Sequence, residues 1–422
     1  MRVYLKTLGC KVNRVESDDL SVRMAALGHQ LVDSPRQAQT AIVNTCTVTA
    51  VADAKCRKEI RRLARLDTMS AVYVIGCGAR LDFERYQKLS RKVHLGIPKD
   101  LSCPKTPASS SAQGFTSASL STSALTLPPA SAAARIRVPV KVQDGCDAFC
   151  SYCIVPYARG APRSAAADEL VSRVAALADA GTKEVILTGI NVGRYVDTRT
   201  GIDLSGLITR LGRDTALHRV RLSSIEPLQI TDALLELLAD GKLLCNHLHV
   251  PLQSGNDATL AAMKRAYTTD DYRRLISDIR RADPHTAITT DLMVGFPTET
   301  EDDFNDSLSF VREMKFARIH LFRYSPRPST AAAQAFRPLE PRILARRSAM
   351  VQDVAGMDAL AYQQSLLGRR VELVIESTDP DNHTVTGMTR EYLRVTIPDP
   401  VGVLKPGDLS TQTLQFAMIS SR

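Results

Sequence analysis

The chain has 422 residues, 44% of them apolar and 23% charged, a balance typical of a globular protein long enough for two or three cores. No apolar run approaches the roughly 18 residues of a membrane-spanning helix, and the formal charge of +9 admits a polyanionic partner such as RNA without requiring one. Nine cysteines, an odd number, behind an N-terminus without a signal-like pattern argue against a disulfide framework and point to a cytoplasmic protein using its thiols for metal or redox chemistry.

In chain order, the first predicted strands are Val3 to Leu5, Ala41 to Val43 and Val72 to Ile75, separated by amphipathic stretches such as Ser17 to Leu27. This is a βαβαβ pattern, and each strand runs into a cysteine: Cys10, Cys46 and Cys77. In a parallel sheet those three strand ends share one edge, so three thiols distant in sequence converge. Residues 1–103 are read as this first domain.

From 104 to 135 the chain is mostly Ser, Ala, Thr and Pro, without helical or strand periodicity, and is predicted to be a flexible linker. A longer alternation follows over 136–367, with strands at Val138 to Val142, Glu184 to Leu187, Arg219 to Leu222, His247 to Val250, Ala287 to Thr290 and Arg318 to Leu321. Six β/α units predict a partial (β/α)6 barrel, and the polar residues after its strands mark the catalytic face of such a barrel. A helix runs from Pro341 to about Leu367. Residues 368–422 then carry strand-like segments at Val371 to Ile375, Tyr392 to Ile397 and Leu414 to Ile419, predicting a small C-terminal β-barrel.

In GCDAFCSYC, just after the first barrel strand, Cys146, Cys150 and Cys153 are spaced C-x-x-x-C-x-x-C. Three thiolates can ligate three irons of a 4Fe-4S cubane and leave the fourth iron open to a chelating ligand. A structural zinc site would want four protein ligands, and no fourth Cys or His lies nearby. Cys10, Cys46 and Cys77 form a second trio fit for an auxiliary 4Fe-4S cluster. Cys56, inside a helical pattern, Cys103, bordering the linker, and Cys245, without a partner at ligand spacing, are read as non-ligands.

These residues carry a resemblance. TLGCKVNRVES, NTCTVTA, VIGCGAR, DGCDAFCSYCIVPYARG, LTGINVGRY, HLHVPLQSGND, TTDLMVGFPTET and FRYSPR are similar, over nearly the whole chain, to the radical SAM methylthiotransferases. Those enzymes insert a methylthio group into tRNA or a ribosomal protein. The resemblance implies an α/β protein with a flavodoxin-like N-terminal domain carrying the auxiliary cluster, a radical SAM barrel, and a TRAM-like C-terminal β domain. It implies S-adenosylmethionine as cofactor, tRNA as partner, and an electron donor of flavodoxin or ferredoxin type. RLSSIEP, Arg221 to Pro227, resembles the subgroup acting on N6-threonylcarbamoyladenosine next to the tRNA anticodon. Isopentenyladenosine in tRNA and an aspartate of a ribosomal protein are the alternative substrates, and a non-catalytic iron-sulfur RNA-binding protein is the remote alternative.

Candidate S-adenosylmethionine contacts at the strand ends are Tyr152 against the adenine, Gly189 and Asn191 by close backbone approach, and Glu226 and Gln253 by hydrogen bonding. For RNA, Arg159 and Arg163 lie just past the cysteine loop, and Lys58, Arg61, Arg62 and Arg65 recur at helical spacing. Residues 369 to 422 hold six Lys or Arg against seven Asp or Glu, so RNA binding there would rest on local groups such as Arg390, Tyr392 and Arg394.

Overall fold

A computed structural model describes residues 1–97 and 136–420, which divide into two units. The predicted linker and Cys103 lie outside the described residues. Among those described, no helix is long and apolar enough to cross a membrane.

The first unit is built on five strands, β1 (Arg2–Thr7), β2 (Gln30–Leu31), β3 (Thr40–Thr45), β4 (Ala71–Gly76) and β5 (Val93–Leu95), all parallel in the order β2-β1-β3-β4-β5. This order is the flavodoxin type, whose topological switch falls between β1 and β3. Central β3, TAIVNT, is buried at every position, as a strand covered on both faces must be. The three predicted strands are the sheet's centre. β2 and β5, two and three residues long, are too short to show any alternation in sequence. The helix predicted from Ser17 spans Lys11–Ala26 and so begins directly after Cys10. Residues 145–147 and 153–161 belong to this unit, and their helix Val155–Arg159 packs on the helix Cys77–Leu81.

The second unit opens with β6 (Arg137–Lys141), followed by β7 (Gln143–Asp144) and β8 (Arg163–Ser164), a small antiparallel pair that sequence reading missed. Then come β9 (Glu184–Thr188), β10 (Arg219–Leu222), β11 (His247–His249), β12 (Ala287–Val294) and β13 (Arg318–Arg323). Strands β6, β9 and β10 pair in parallel, as do β11, β12 and β13. The parallel bridges Val220 to Leu244 and Ser224 to His249 join the two sets, so all six predicted strands follow one another in chain order. Right-handed β/α crossovers generate such a partial barrel. Helix starts are fixed by side-chain caps at Asp203, Thr231 and Asn256, and by full capping boxes at Thr268 with Asp271 and Thr300 with Asp303. One apolar core runs from Val138 to Val354.

The helix Pro341–Ser365 leads into an antiparallel sheet of β14 (Arg370–Asp379), β15 (Thr384–Thr389), β16 (Arg394–Pro398) and β17 (Leu409–Thr413), in the order β16-β15-β14-β17. A bulge in β14 and the bridge from Val395 to Ile419 curl it over its own core. One expectation is corrected by this sheet, and one of its strands had no signal in the sequence. Leu414 to Ile419 is not a strand but a turn of 3-10 helix, Phe416–Met418; the strand is the preceding LSTQT, an edge strand too polar to stand out. β15, TVTGMT, was hidden by Gly387, which is glycine because a Cβ there would meet the Val374 carbonyl oxygen at 2.7 Å.

This sheet and the barrel share one compact unit, and buried charge joins them. Glu184, fully buried, accepts from Arg137 (2.7 Å), Arg219 (2.8 Å) and Arg221 (2.8 Å). Arg219 and Arg221 also donate to the Met388 and Thr389 carbonyls, at 2.7 and 2.8 Å. Arg390 runs the other way, to the carbonyls of Gly241 and Leu244 at 2.8 Å, and Tyr392 stacks on His247 with centroids 4.1 Å apart. Arg390 and Tyr392 are therefore docking groups of the sheet, not RNA contacts, because their polar and aromatic surfaces already have partners. Arg394 is exposed.

Candidate cluster and cofactor sites

Cys10, Cys46 and Cys77 follow β1, β3 and β4, three adjacent parallel strands, at the edge where doubly wound sheets bind their ligands. Cys10 is exposed, whereas Cys46 and Cys77 are buried. Gly9, at φ +125°, lets this edge close: a Cβ there would lie 2.8 Å from the Cys46 Cβ. Asn13, on the first turn after Cys10, donates to the carbonyls of Leu8 (3.1 Å) and Thr45 (2.9 Å). Asn44 donates back to the Asn13 carbonyl at 2.9 Å. The two carboxamides thus tie the β1 and β3 ends together.

Burial pushes the Cys77 thiol up to about 11, against the opposing pull of Arg159. Burial likewise raises Cys46, and the backbone N–H groups of Val48 and Thr47 offset this only in part. Thiols held this way need a cationic core such as iron to become ligating thiolates together. Cys56 is also raised to about 11 by burial; its sulfur donates to the Cys46 carbonyl at 3.4 Å, a structural contact. In iron-free protein, a maleimide should modify Cys10 first and leave fully buried Cys56 untouched until unfolding. Peptide mass mapping over time checks this, and early labelling of Cys56 contradicts it.

Arg159 departs from its expected role. Its side chain is 2% exposed, and its guanidinium donates to Cys77 Sγ at 3.1 Å, to Asn13 Oδ1 at 2.6 Å and to Glu16. Burial and these partners remove it from phosphate contact; it is instead a cation beside a cysteine sulfur, which favours the thiolate. Arg163 keeps an exposed side chain, 3.9 Å from Asp144. Lys58, Arg61, Arg62 and Arg65 all lie exposed along the helix Ala50–Ala64 and its cap. Arg62 is paired with Glu59 at 2.7 Å.

Cys146, Cys150 and Cys153 lie on one irregular loop between β7 and the helix Val155–Arg159, and none is in a disulfide. Gly145 precedes them at φ +80°, where a Cβ would strike the Ala161 carbonyl oxygen at 2.2 Å. In the second unit Cys150 Sγ accepts from Arg265 at 3.3 Å, and Arg265 is ion-paired with Glu226. Glu226 is thus not an independent hydrogen-bonding group: its carboxylate holds the guanidinium that faces a cysteine sulfur. Sequence reading missed Arg265, which lies 115 residues from Cys150 along the chain.

Tyr152 packs with Met263, Phe296, Tyr324 and Ala332. Gly189 makes room for Gln143, whose atoms a Cβ would meet at 3.0 Å. The Asn191 backbone N–H donates to Gln143 Oε1 at 2.9 Å, while its own Oδ1 is buried and has no hydrogen-bond partner among the described residues. Ser223 Oγ, directly after β10, and Tyr324 OH, directly after β13, share that state. Buried polar atoms left unmatched cost about 1–3 kcal/mol each. Three at barrel strand ends fit a ligand rich in amino, carboxylate and hydroxyl groups, as S-adenosylmethionine is. Gln253, at φ +66°, is locked to β12 through its backbone, donating to the Asp291 carbonyl at 2.8 Å.

The radical SAM superfamily matches residues 140–311, and an uncharacterised protein family, UPF0004, matches residues 2–97. The radical SAM methyltransferase TsrM of Kitasatospora setae shares the fold, with a TM-score of 0.53 over 79% of this chain and 77% of its own, at 15% identity. Fold and match together define a radical SAM enzyme. A threonylcarbamoyladenosine tRNA methylthiotransferase, MtaB, of Bacillus subtilis is 32% identical over 93% of this chain and 89% of its own length. The protein of the same name from Chlamydia pneumoniae is 32% identical over 93% and 91%. A tRNA-2-methylthio-N(6)-dimethylallyladenosine synthase of Burkholderia multivorans is 32% identical over 95% and 91%. The chain belongs to the radical SAM methylthiotransferase family, among its MtaB-like members.

Proposed function

We propose that this chain is the tRNA methylthiotransferase that converts N6-threonylcarbamoyladenosine beside the anticodon into its 2-methylthio derivative, in the cytoplasm, with electrons from a flavodoxin- or ferredoxin-type donor. The reading rests most heavily on one observation: besides the C-x-x-x-C-x-x-C loop, Cys10, Cys46 and Cys77 end three neighbouring parallel strands. A radical SAM enzyme needs one cysteine trio; a second accounts for sulfur insertion. The MtaB relatives and the RLSSIEP segment favour threonylcarbamoyladenosine, although Arg221 within that segment is a buried docking group, which leaves Ser223 to Glu226 as its substrate-side part.

When bound, the two 4Fe-4S clusters and S-adenosylmethionine would relay the donor's electron, supply the radical chemistry and the methyl group, and supply or carry the sulfur needed at an adenine C2–H that has no leaving group. Cys146, Cys150 and Cys153 anchor one cluster through three thiolates, and Cys10, Cys46 and Cys77 the other. Arg265 and Arg159 each donate a charge-assisted hydrogen bond to one of these sulfurs, Cys150 and Cys77. Asn191, Ser223 and Tyr324 offer the unmatched polar atoms that orient S-adenosylmethionine, with Tyr152, Gly189 and Gln253 shaping its surroundings. Arg163 offers an exposed cation for a tRNA phosphate.

The test is mass spectrometry of tRNA nucleosides from a strain lacking this protein, with and without the restored chain. Loss and recovery of 2-methylthio-N6-threonylcarbamoyladenosine is the expected result. An unchanged level overturns the assignment, and loss of the dimethylallyl derivative instead transfers it to that substrate.

A further inference from the structure

Strands β11, β12 and β13 bring together three metal-ligating side chains that neither cysteine trio nor the cofactor contacts use. In the sheet register Asp291 lies opposite His320, and His249 opposite Thr289. His249 Nε2 stands 3.3 Å and His320 Nδ1 3.4 Å from the same oxygen of Asp291. The two imidazole rings are 5.1 Å apart, and one ligand atom from each of the three residues falls within 4.8 Å of the others. All three sit on paired strands rather than loops, so their backbones hold this geometry before anything binds.

Their surroundings suit a cation. Thr289 Oγ1 lies 2.9 Å from His249 Nδ1 and 3.1 Å from His247 Nε2, so the hydroxyl donates to one imidazole and accepts from the other. When Thr289 donates to His247, His249 must donate through Nδ1, and its Nε2 then presents a lone pair to the Asp291 carboxylate. In that tautomer Nε2 and the Asp291 carboxylate offer two lone-pair donors to one cation. The hydrogen bond to the far nitrogen is also what orients histidine ligands in metal sites. The His249 side chain is 9% exposed, Asp291 23% and His320 38%, which leaves coordination positions for water or an incoming oxygen ligand.

We propose that His249, Asp291 and His320 bind one divalent transition-metal cation, of the class of zinc or ferrous iron, independently of any iron held by cysteine. Two imidazole nitrogens and one carboxylate oxygen form a donor set for such ions, with magnesium and calcium preferring oxygen alone.

The experiment uses the full chain, purified anaerobically with its clusters loaded so that the cysteines are occupied. The protein is equilibrated with micromolar zinc chloride and desalted, and zinc and iron are measured by mass spectrometry. The parent should retain about one zinc per chain, and His320→Ala and Asp291→Asn should lower zinc affinity by about tenfold or more with iron unchanged. No zinc on the parent, or equal zinc on parent and variants, overturns the proposal and leaves an ion-paired His–Asp–His cluster. His320 is half-exposed and Asp291→Asn preserves shape. If either variant nevertheless loses iron, His320→Gln is titrated and judged by the same criterion.

Discussion

Replacing Cys146, Cys150 and Cys153 together by alanine should abolish 5'-deoxyadenosine formation from S-adenosylmethionine and lower bound iron from about eight to about four atoms per chain. The reasoning is local. The loop from Gly145 to Cys153 holds no other Cys or His, so nothing can replace a missing thiolate. Each thiolate anchors one iron, and without all three the cubane has no protein attachment that leaves one iron open. The strand-end trio on β1, β3 and β4 keeps its own ligands, which is why about half the iron should remain. Iron assay and chromatography of the nucleoside product check both halves; a full iron complement in the triple variant would refute the ligand assignment.

The largest effect on stability is expected at Glu184. Its carboxylate is fully buried against Arg137, Arg219 and Arg221, and Arg219 and Arg221 carry the hydrogen bonds to the carbonyls of Met388, Thr389 and Arg390 at the end of β15. Glu184→Ala leaves the buried Arg221 guanidinium without its carboxylate, and Arg137 and Arg219 with only the part-exposed Glu376 and Glu372, and breaking a buried ion pair by removing one partner costs about 3–5 kcal/mol. The unfolding midpoint should fall by about 6–20 °C, since each kcal/mol shifts a domain of this size by about 2–4 °C. Burial alone would raise the Glu184 carboxyl, but Arg221, Arg137 and Arg219 outweigh it and hold it well below the usual carboxylate range. A depressed folded value means its stabilisation is complete above the unfolded value of about 4.3 and is lost as pH falls below that. Acid unfolding curves should therefore fall away below about pH 4 in the parent and more shallowly in Glu184→Gln. Equal midpoints for parent and Glu184→Ala would show that the buried cluster is not what joins sheet to barrel.

The strand and helix pattern, both cysteine trios and the order of β/α units were legible because each is carried by local signals. Short apolar runs mark most of the strands, and each trio cysteine of the first domain follows its run within five residues. What escaped were short or polar strands, β2, β5, β15 and β17, whose pairing is decided by the neighbouring strand. The basic residues were read least well. Arg159 and Arg390 look in sequence like cations available to RNA, yet Arg159 is held by Cys77, 82 residues away, and Arg390 by the Gly241 carbonyl, 149 residues away.

By itself the sequence determined that this protein gathers thiols at the ends of parallel strands, since a cysteine after an apolar run needs only the chain's own periodicity to be placed. Only the tertiary structure decided which charges stay free to meet a partner. It sets Arg159 against Cys77 and Arg265 against Cys150, closes Glu184 inside three arginines, and brings His249, Asp291 and His320 within reach of one ion. The physical reason is that the environment of a charge is made by whatever packs against it, and those neighbours are remote in sequence.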